Sequence, residues 1–285
     1  HITGGMLGAR CVRDAAKMAS IAVESETLFN ERPYISGWVL TLPPLGIDIE
    51  SLDALMEMNR RNISSIVSSG PILGVSSPVT IPGTLVQAHA EIMACIVLSQ
   101  LINPGAPIVY TSFARGVDMR TGNISMACPE FGVLKGCMAQ MGRFLELPVR
   151  MPSMLRDSKL LDAQAGFETG MIGTTTGFVA DIMDSMQLDM DLVVEYPDLL
   201  FCNDCMAAIK RMMRELTIND EMLAIETIKS VGPGGSYLAS AHTFKHFRNE
   251  LWNPDLIERR NWDKWELDGS LSIFEVAEKK VLEML

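Results

Sequence analysis

Three short runs carry residue types that could do chemistry at a defined spacing. "CNDC", Cys202 to Cys205, is spaced like a zinc or redox pair, but a zinc site needs two more ligands and the chain has no second such pair. "HTFKH", His242 to His246, sets two imidazoles one helical turn apart, with Glu250 a further turn on, a face able to hold a metal. It lacks the internal Glu of an H-E-x-x-H site, which favours His242 as a pocket or partner contact over a metal ligand. "GPGGS", residues 232–236, has the glycines of a phosphate loop without the strand or the lysine, and reads as a helix end and turn. No nucleophile elbow, Walker motif or dinucleotide fingerprint occurs. In "YTSFARGVDMRTGNISMACPEF", Tyr110 to Phe131, rings and carboxylates alternate with methionines. Ring faces hold a quaternary ammonium at roughly 1–2 kcal/mol each when desolvated, helped by a carboxylate that need not touch it. Plain core packing is the competing reading of every ring.

These residues need strands and helices to position them. Short apolar runs that read as strands are centred near Trp38 ("ISGWVL"), Gly74 ("ILGVS"), Val109 ("PIVYT"), Val149 ("PVRM") and Phe178 ("TGFVAD"). They lie roughly 29 to 40 residues apart, the size of a βα unit. Between them, helical spacing runs over 48–69, from Thr84 to Asn103, from Pro129 to Leu145, and from Ser158 toward Met171. The alternation predicts an α/β fold, a (β/α)8 TIM barrel rather than an open sheet. In such a barrel the strand-to-helix loops converge on one face, bringing together Ser76, Ser77, the Tyr110–Phe131 segment, residues 151–159 and Asp181. The 18 or so residues between strand and helix there exceed a usual βα loop and suit a lid or partner surface. Fewer than eight strands are visible, and "HITGGMLGAR" reads as the middle of a domain, so residues upstream of His1 are expected to hold the missing N-terminal part. Residues 1–184 are expected to carry the main βα units. Residues 185–285 are expected to carry the remaining barrel elements and a C-terminal helical segment that packs across the barrel end or meets a partner.

Composition narrows the partners. A chain of 285 residues, 48% of them hydrophobic, can bury a large core. Its formal charge of −11 disfavours nucleic acid, which demands clustered Lys and Arg, and tolerates cationic small molecules. The most apolar helix is interrupted by Gln87, His89, Glu91 and Gln100, so no membrane span is expected. Six scattered cysteines suit reduced thiols, hence a cytoplasmic location, and the 20 methionines suit adaptable core filling or a pocket lining.

The run "GVSSPVTIPGTLVQAHAEIMACIVLSQLINPGAPIVY", followed in order by "DMRTG", "PEF", "LPVRMPSMLRDSKLLDAQAGFE" and "VGPGGSYLASAHTFKHFR", resembles the trimethylamine methyltransferase family of corrinoid-dependent methyltransferases. The resemblance covers nearly the whole chain. It implies a TIM barrel that moves a methyl group from an amine to the Co(I) of a corrinoid (cobalamin) carried by a separate small corrinoid-binding protein, with no tightly bound metal of its own. It also implies that the chain corresponds to the C-terminal part of a longer member. Founding members carry pyrrolysine and act on a tertiary methylamine; this sequence has only the standard twenty residue types. It therefore resembles the non-pyrrolysine branch, whose members are similar to glycine betaine methyltransferases and act on quaternary amines such as proline betaine or carnitine.

The chemistry of that branch is coherent. A quaternary ammonium leaves as a neutral amine and Co(I) is already a strong nucleophile, so the protein has only to orient the N–CH3 bond, exclude water and bind a cation. On this reading Tyr34, Trp38, Tyr110, Phe113 and Phe131 are candidates for a cationic box, and Asp118 or Glu130 for the balancing charge. Ser76 would line the well, and Arg115, Arg150 or His242 would receive a substrate carboxylate. No catalytic residue is assigned, and a homo-oligomer is the expected assembly. Two other readings stay open: a betaine-binding or sensing barrel without turnover, and an unrelated zinc enzyme using His242 and His246.

Overall fold

Parallel strands alternating with helices fill the first two thirds of the chain. A computed structural model describes residues 2–285, which divide into one unit running to Val194 and a second spanning Glu195–Leu285. The first unit contains, in order, β1 (Ile2–Gly5), α1 (Gly8–Ala22), α2 (Glu26–Glu31), β2 (Ile35–Leu40), α3 (Ile49–Arg60), β3 (Ser64–Ser69), α4 (Ile81–Ile102) and β4 (Ile108–Ser112). A hairpin of β5 (Gly116–Asp118) and β6 (Asn123–Ser125) follows, then α5 (Pro129–Phe144), β7 (Arg150–Pro152), α6 (Ala163–Gly177) and β8 (Ile182–Asp184).

Strands β1 to β4 lie side by side and parallel, with Trp38 opposite Ile66 and Ile66 opposite Val109. Strands β7 and β8 form a second parallel pair, joined to the first group by a bridge between Tyr110 and Val149. Side chains alternate between faces along a strand. One face, with Ile35, Val39, Val67, Ile108, Tyr110, Val149 and Met151, is buried in a single core with Val12 of α1, Leu55 and Met58 of α3, Ile92 of α4 and Met138 of α5. The helices come close: a Cβ on Gly37 would stand 2.3 Å from the Met58 sulfur, and one on Gly142 would stand 2.9 Å from the Tyr110 ring. The opposite face carries Trp38, Ser68, Thr111 and Arg150. Strands β2 and β7 are three places apart, about 14 Å in a flat sheet at ordinary strand spacing. The Arg150 guanidinium nevertheless lies 4.3 Å from the centre of the Trp38 ring, so the sheet curls around this inner face.

The architecture is thus mixed α/β with a curved parallel sheet, consistent with a TIM-barrel-like fold; the described strands do not close into a barrel. Helices α4 and α5 begin with proline in the first turn, and Asp48 and Asp162 cap α3 and α6 by accepting from Ser51 N (2.8 Å) and Ala165 N (3.0 Å). Helix α4 is long and apolar enough to cross a membrane by length and composition. Here it packs on β3, α3 and α5 along the buried stripe Ala88, Glu91, Ile92, Cys95 and Ser99.

Two expected strands fall elsewhere. Residues 72–75 form a turn, and the strand is the serine-rich "SSIVSS" of β3, which the helix expected over 48–69 had absorbed. That helix stops at Arg60, because Asn62 adopts a left-handed conformation (φ 55°). Likewise "TGFVAD" is not a strand: α6 runs through Gly177 and the strand is β8.

The second unit folds as helices: α7 (Tyr196–Met213), α8 (Asp220–Leu223), α9 (Ile225–Val231), α10 (Ala241–Glu250), α11 (Trp262–Leu267) and α12 (Ile273–Met284). Helix α12 starts in a capping box of Ser272 and Glu275 and packs on α7. Buried Asp204 accepts from the N–H groups of Asp255 (2.9 Å), Leu256 (3.1 Å) and Ile257 (3.2 Å), fixing the loop before α11.

Candidate functional site

The inner face of the curled sheet ends in a group of charges and rings. Trp38, on β2, and Phe113, just after β4, meet edge to face with centroids 6.1 Å apart. Both faces of that arrangement are taken by the protein's own cation: the Arg150 guanidinium carbon lies 4.3 Å from Trp38 and 5.0 Å from Phe113. Arg150 opens β7, and its side chain is only 2% exposed. Nη2 donates to Ser185 Oγ at 2.7 Å and pairs with Asp184 at the end of β8, whose side chain is 39% exposed. Nε and Nη1 of Arg150, Nε of Arg115 and the hydroxyls of Ser68 and Thr111 are buried without a hydrogen-bond partner among the described residues. A buried polar group left this way costs about 1–3 kcal/mol, more when charged.

A buried amine stands behind these two. Lys135 is fully buried on α5, donates to Ala114 O at 2.7 Å and lies 4.0 Å from the centre of the Phe131 ring. Burial holds its amine well below the usual lysine range, and Arg150 and Arg115 push it the same way. Burial also lowers both guanidiniums, opposed at Arg150 by Asp184 and Asp191 and at Arg115 by Asp191. Asp191 is raised by desolvation against the pull of Arg150 and Arg115. It ends a run of three left-handed residues, Asp189 (φ 48°), Met190 (φ 57°) and Asp191 (φ 79°), and Ser185 is left-handed too (φ 68°). Such backbone costs of order 1 kcal/mol or more per residue and gathers at ligand sites.

The neighbouring loops are tied down. Asp157, after β7, accepts from Met126 N at 2.8 Å and from Ser125 Oγ, while Glu168 of α6 accepts from the N–H of Asp157 at 2.9 Å. The long segment expected as a lid is thereby partly a hairpin, β5–β6, anchored at its exit. On α4, Glu91 faces the ends of β2 and β3 and accepts from Thr41 Oγ1 (2.7 Å), Ser69 Oγ (2.7 Å), Leu45 N (2.8 Å) and Gln87 Nε2 (3.1 Å). It borders a cavity of about 220 Å³ lined mostly by apolar side chains and by Cys95, whose thiol is pushed up to about 11, chiefly by burial.

Of the residues the sequence nominates, Trp38 and Phe113 come together, with Arg150 between them. Phe131 is buried and carries the Lys135 amine rather than an open face. Tyr110 points to the other side of the sheet, fully buried, its hydroxyl 2.9 Å from His89 Nδ1. Tyr34 precedes β2, half-buried. Ser76 lies in the loop after β3, and its hydroxyl accepts from Ile72 N at 2.9 Å. Asp118 pairs with Arg120 on the hairpin (2.9 Å), which holds its carboxyl below the usual range, and Glu130 is exposed in the first turn of α5. His242 belongs to the second unit, its Nε2 3.1 Å from Glu221 O and its ring 4.6 Å from His246. Sequence reasoning did not nominate Lys135, Asp184 or Asp191. A signal for Lys135 was available: it is the one charge on the stripe Phe131, Leu134, Met138, Ala139 that α5 buries.

Fold and site together describe a mixed α/β protein, consistent with a TIM-barrel-like fold, with a charged, ring-lined cluster on the inner face of its parallel strands. Residues 1–285 match the family described as trimethylamine methyltransferase (MTTB), and the chain belongs to it. It is 31% identical over 265 residues to the glycine betaine methyltransferase of Desulfitobacterium hafniense (strain Y51), covering 92% of this chain and 55% of the relative. It is 29% identical over 287 residues to the trimethylamine methyltransferase MttB of D. hafniense (strain DSM 10664 / DCB-2), covering 100% of this chain and 58% of the relative. The corresponding protein of Methanosarcina thermophila is 30% identical over 258 residues, 90% of this chain and 53% of that one. The chain spans about half the length of these relatives.

Proposed function

We propose that this chain carries the substrate-binding part of a methyltransferase that moves a methyl group from a quaternary amine, glycine betaine first among the candidates, to the Co(I) of a corrinoid on a separate small protein. Family membership and a relative named for glycine betaine support this reading. The observation that carries it is the cluster at the strand ends, where Trp38 and Phe113 already surround a delocalised cation and the carboxylates of Asp184 and Asp191 face it. With the rings already taken by Arg150, the carboxylates are the groups that would hold a charged nitrogen of the substrate. The N–C bond breaks with its electron pair staying on nitrogen, so the leaving amine is neutral and needs no proton. The reduced cobalt of the partner supplies the pair for the new bond. What remains for this chain is to hold the substrate's charge and aim one methyl group outward.

The test mixes the purified chain with its corrinoid partner, reduced to Co(I), and separately with glycine betaine, carnitine, proline betaine or trimethylamine, following the absorbance of the methylated acceptor. Methyl transfer with glycine betaine is expected. Silence with every amine rejects the reading, and turnover with trimethylamine alone moves it to the tertiary amines.

A further inference from the structure

We propose that Arg150 and Arg115 form a carboxylate subsite that restricts the chain to amines bearing a carboxylate; the inference rests on the amine-binding reading above and specifies which part of the amine is read. Arg150 is almost entirely buried, yet Asp184 and Ser185 use only one of its three nitrogens, and the other two have no acceptor among the described residues. Arg115, half-buried, likewise keeps Nε without a partner. Buried guanidinium N–H groups are normally paired, and their preferred partner is a planar oxyanion. Ser68 and Thr111, register partners on the same inner face of β3 and β4, add two hydroxyls without partners.

The charges agree. Lys135 crowds the two guanidiniums from behind, and Asp184 and Asp191 are the carboxylates that face them. A substrate carboxylate would relieve the two guanidiniums together. The half-exposed Asp184 marks the way in and stays available to the quaternary nitrogen of the same molecule. A zwitterion with its two charges a few bonds apart fits this pairing. Trimethylamine and choline have no carboxylate to offer the arginines.

Titration calorimetry on the intact chain decides. Glycine betaine and acetate are expected to bind, with ethyltrimethylammonium at least about tenfold weaker than glycine betaine, since a site with buried donors rejects an analogue that leaves them unpaired. Arg115→Gln should narrow that gap, and so should Arg150→Lys, which keeps the charge but loses the planar fork. Circular dichroism and the melting curve of each variant confirm folding. Equal binding of glycine betaine and ethyltrimethylammonium overturns the subsite, as does failure of the folded chain to bind any carboxylate. Chloride or phosphate competing as well as acetate also overturns it, because the site then reads anions in general. Carboxylate-dependent binding with a silent corrinoid assay keeps the subsite and removes the proposed reaction. Methyl transfer from choline as fast as from glycine betaine does the reverse.

Discussion

Two buried polar clusters lie near the ends of the same strands and are built on opposite principles. Glu91, on the outer side between β3 and α4, has four donors for its two oxygens. Arg150, on the inner side, has one nitrogen hydrogen-bonded and two without a hydrogen-bond partner among the described residues. A satisfied network rigidifies and specifies a fold, whereas an incomplete one costs stability unless something else completes it. Glu91 therefore reads as scaffold, locking the loop after β2 and the end of β3 to α4. Under the subsite proposal, a substrate carboxylate would complete the cluster around Arg150.

Replacing the hub should have the largest effect. Glu91→Ala leaves the Thr41 and Ser69 hydroxyls and the Leu45 N–H without their acceptor, and should cost about 3 kcal/mol. For a unit of this size that is roughly 6–12 °C in melting temperature. A loss of a degree or two by calorimetry would erase the contrast between the clusters. Lys135→Met should behave differently, holding or raising stability at neutral pH, because an apolar side chain of similar length replaces a desolvated amine.

The pH dependence sharpens the point. The folded amine is held below its unfolded value near about 10.4, so between the two the unfolded chain binds more protons and stability rises with pH. Urea midpoints at pH 7 and pH 9 should climb more in the parent than in Lys135→Met; equal slopes would mean that Lys135 is not desolvated as described. Ser185→Ala should cost only about 1 kcal/mol by chemical denaturation, since Asp184 still holds the guanidinium. A loss as large as that of Glu91→Ala would make the Arg150 cluster scaffold as well. Asp118→Asn, on the exposed hairpin, should leave the melting curve unchanged, its pairing with Arg120 being solvated.

Where burial and periodicity agree, the elements were legible in the sequence. Helices α4 and α5 announce themselves with proline starts and apolar stripes, and β2 and β4 with compact apolar runs. Strand β3 escaped because three of its five buried positions are Ser65, Ser68 and Ser69, which weakens the apolar signature of an interior strand, while Ile63 and Ile66 continue the spacing of α3. The β5–β6 hairpin was hidden in a polar segment of loop-like composition. The family was legible in the order of several weak blocks. The site was legible in part: spacing along a chain nominates rings but not the side of the sheet they take, which is why Trp38 and Phe113 meet and Tyr110 does not join them. Lys135 and Asp191 gain their character from neighbours distant in sequence.

The left-handed run after β8 sets a limit on what can replace Asp191. Only glycine, asparagine and aspartate sit there at small cost, so the backbone leaves two neutral options for one acidic residue. Asparagine would keep the contour of the loop and erase its charge, and glycine would ease the bend and erase both. Charge at this corner can thus be removed with the loop's shape kept, whereas no tolerated substitution alters the shape alone.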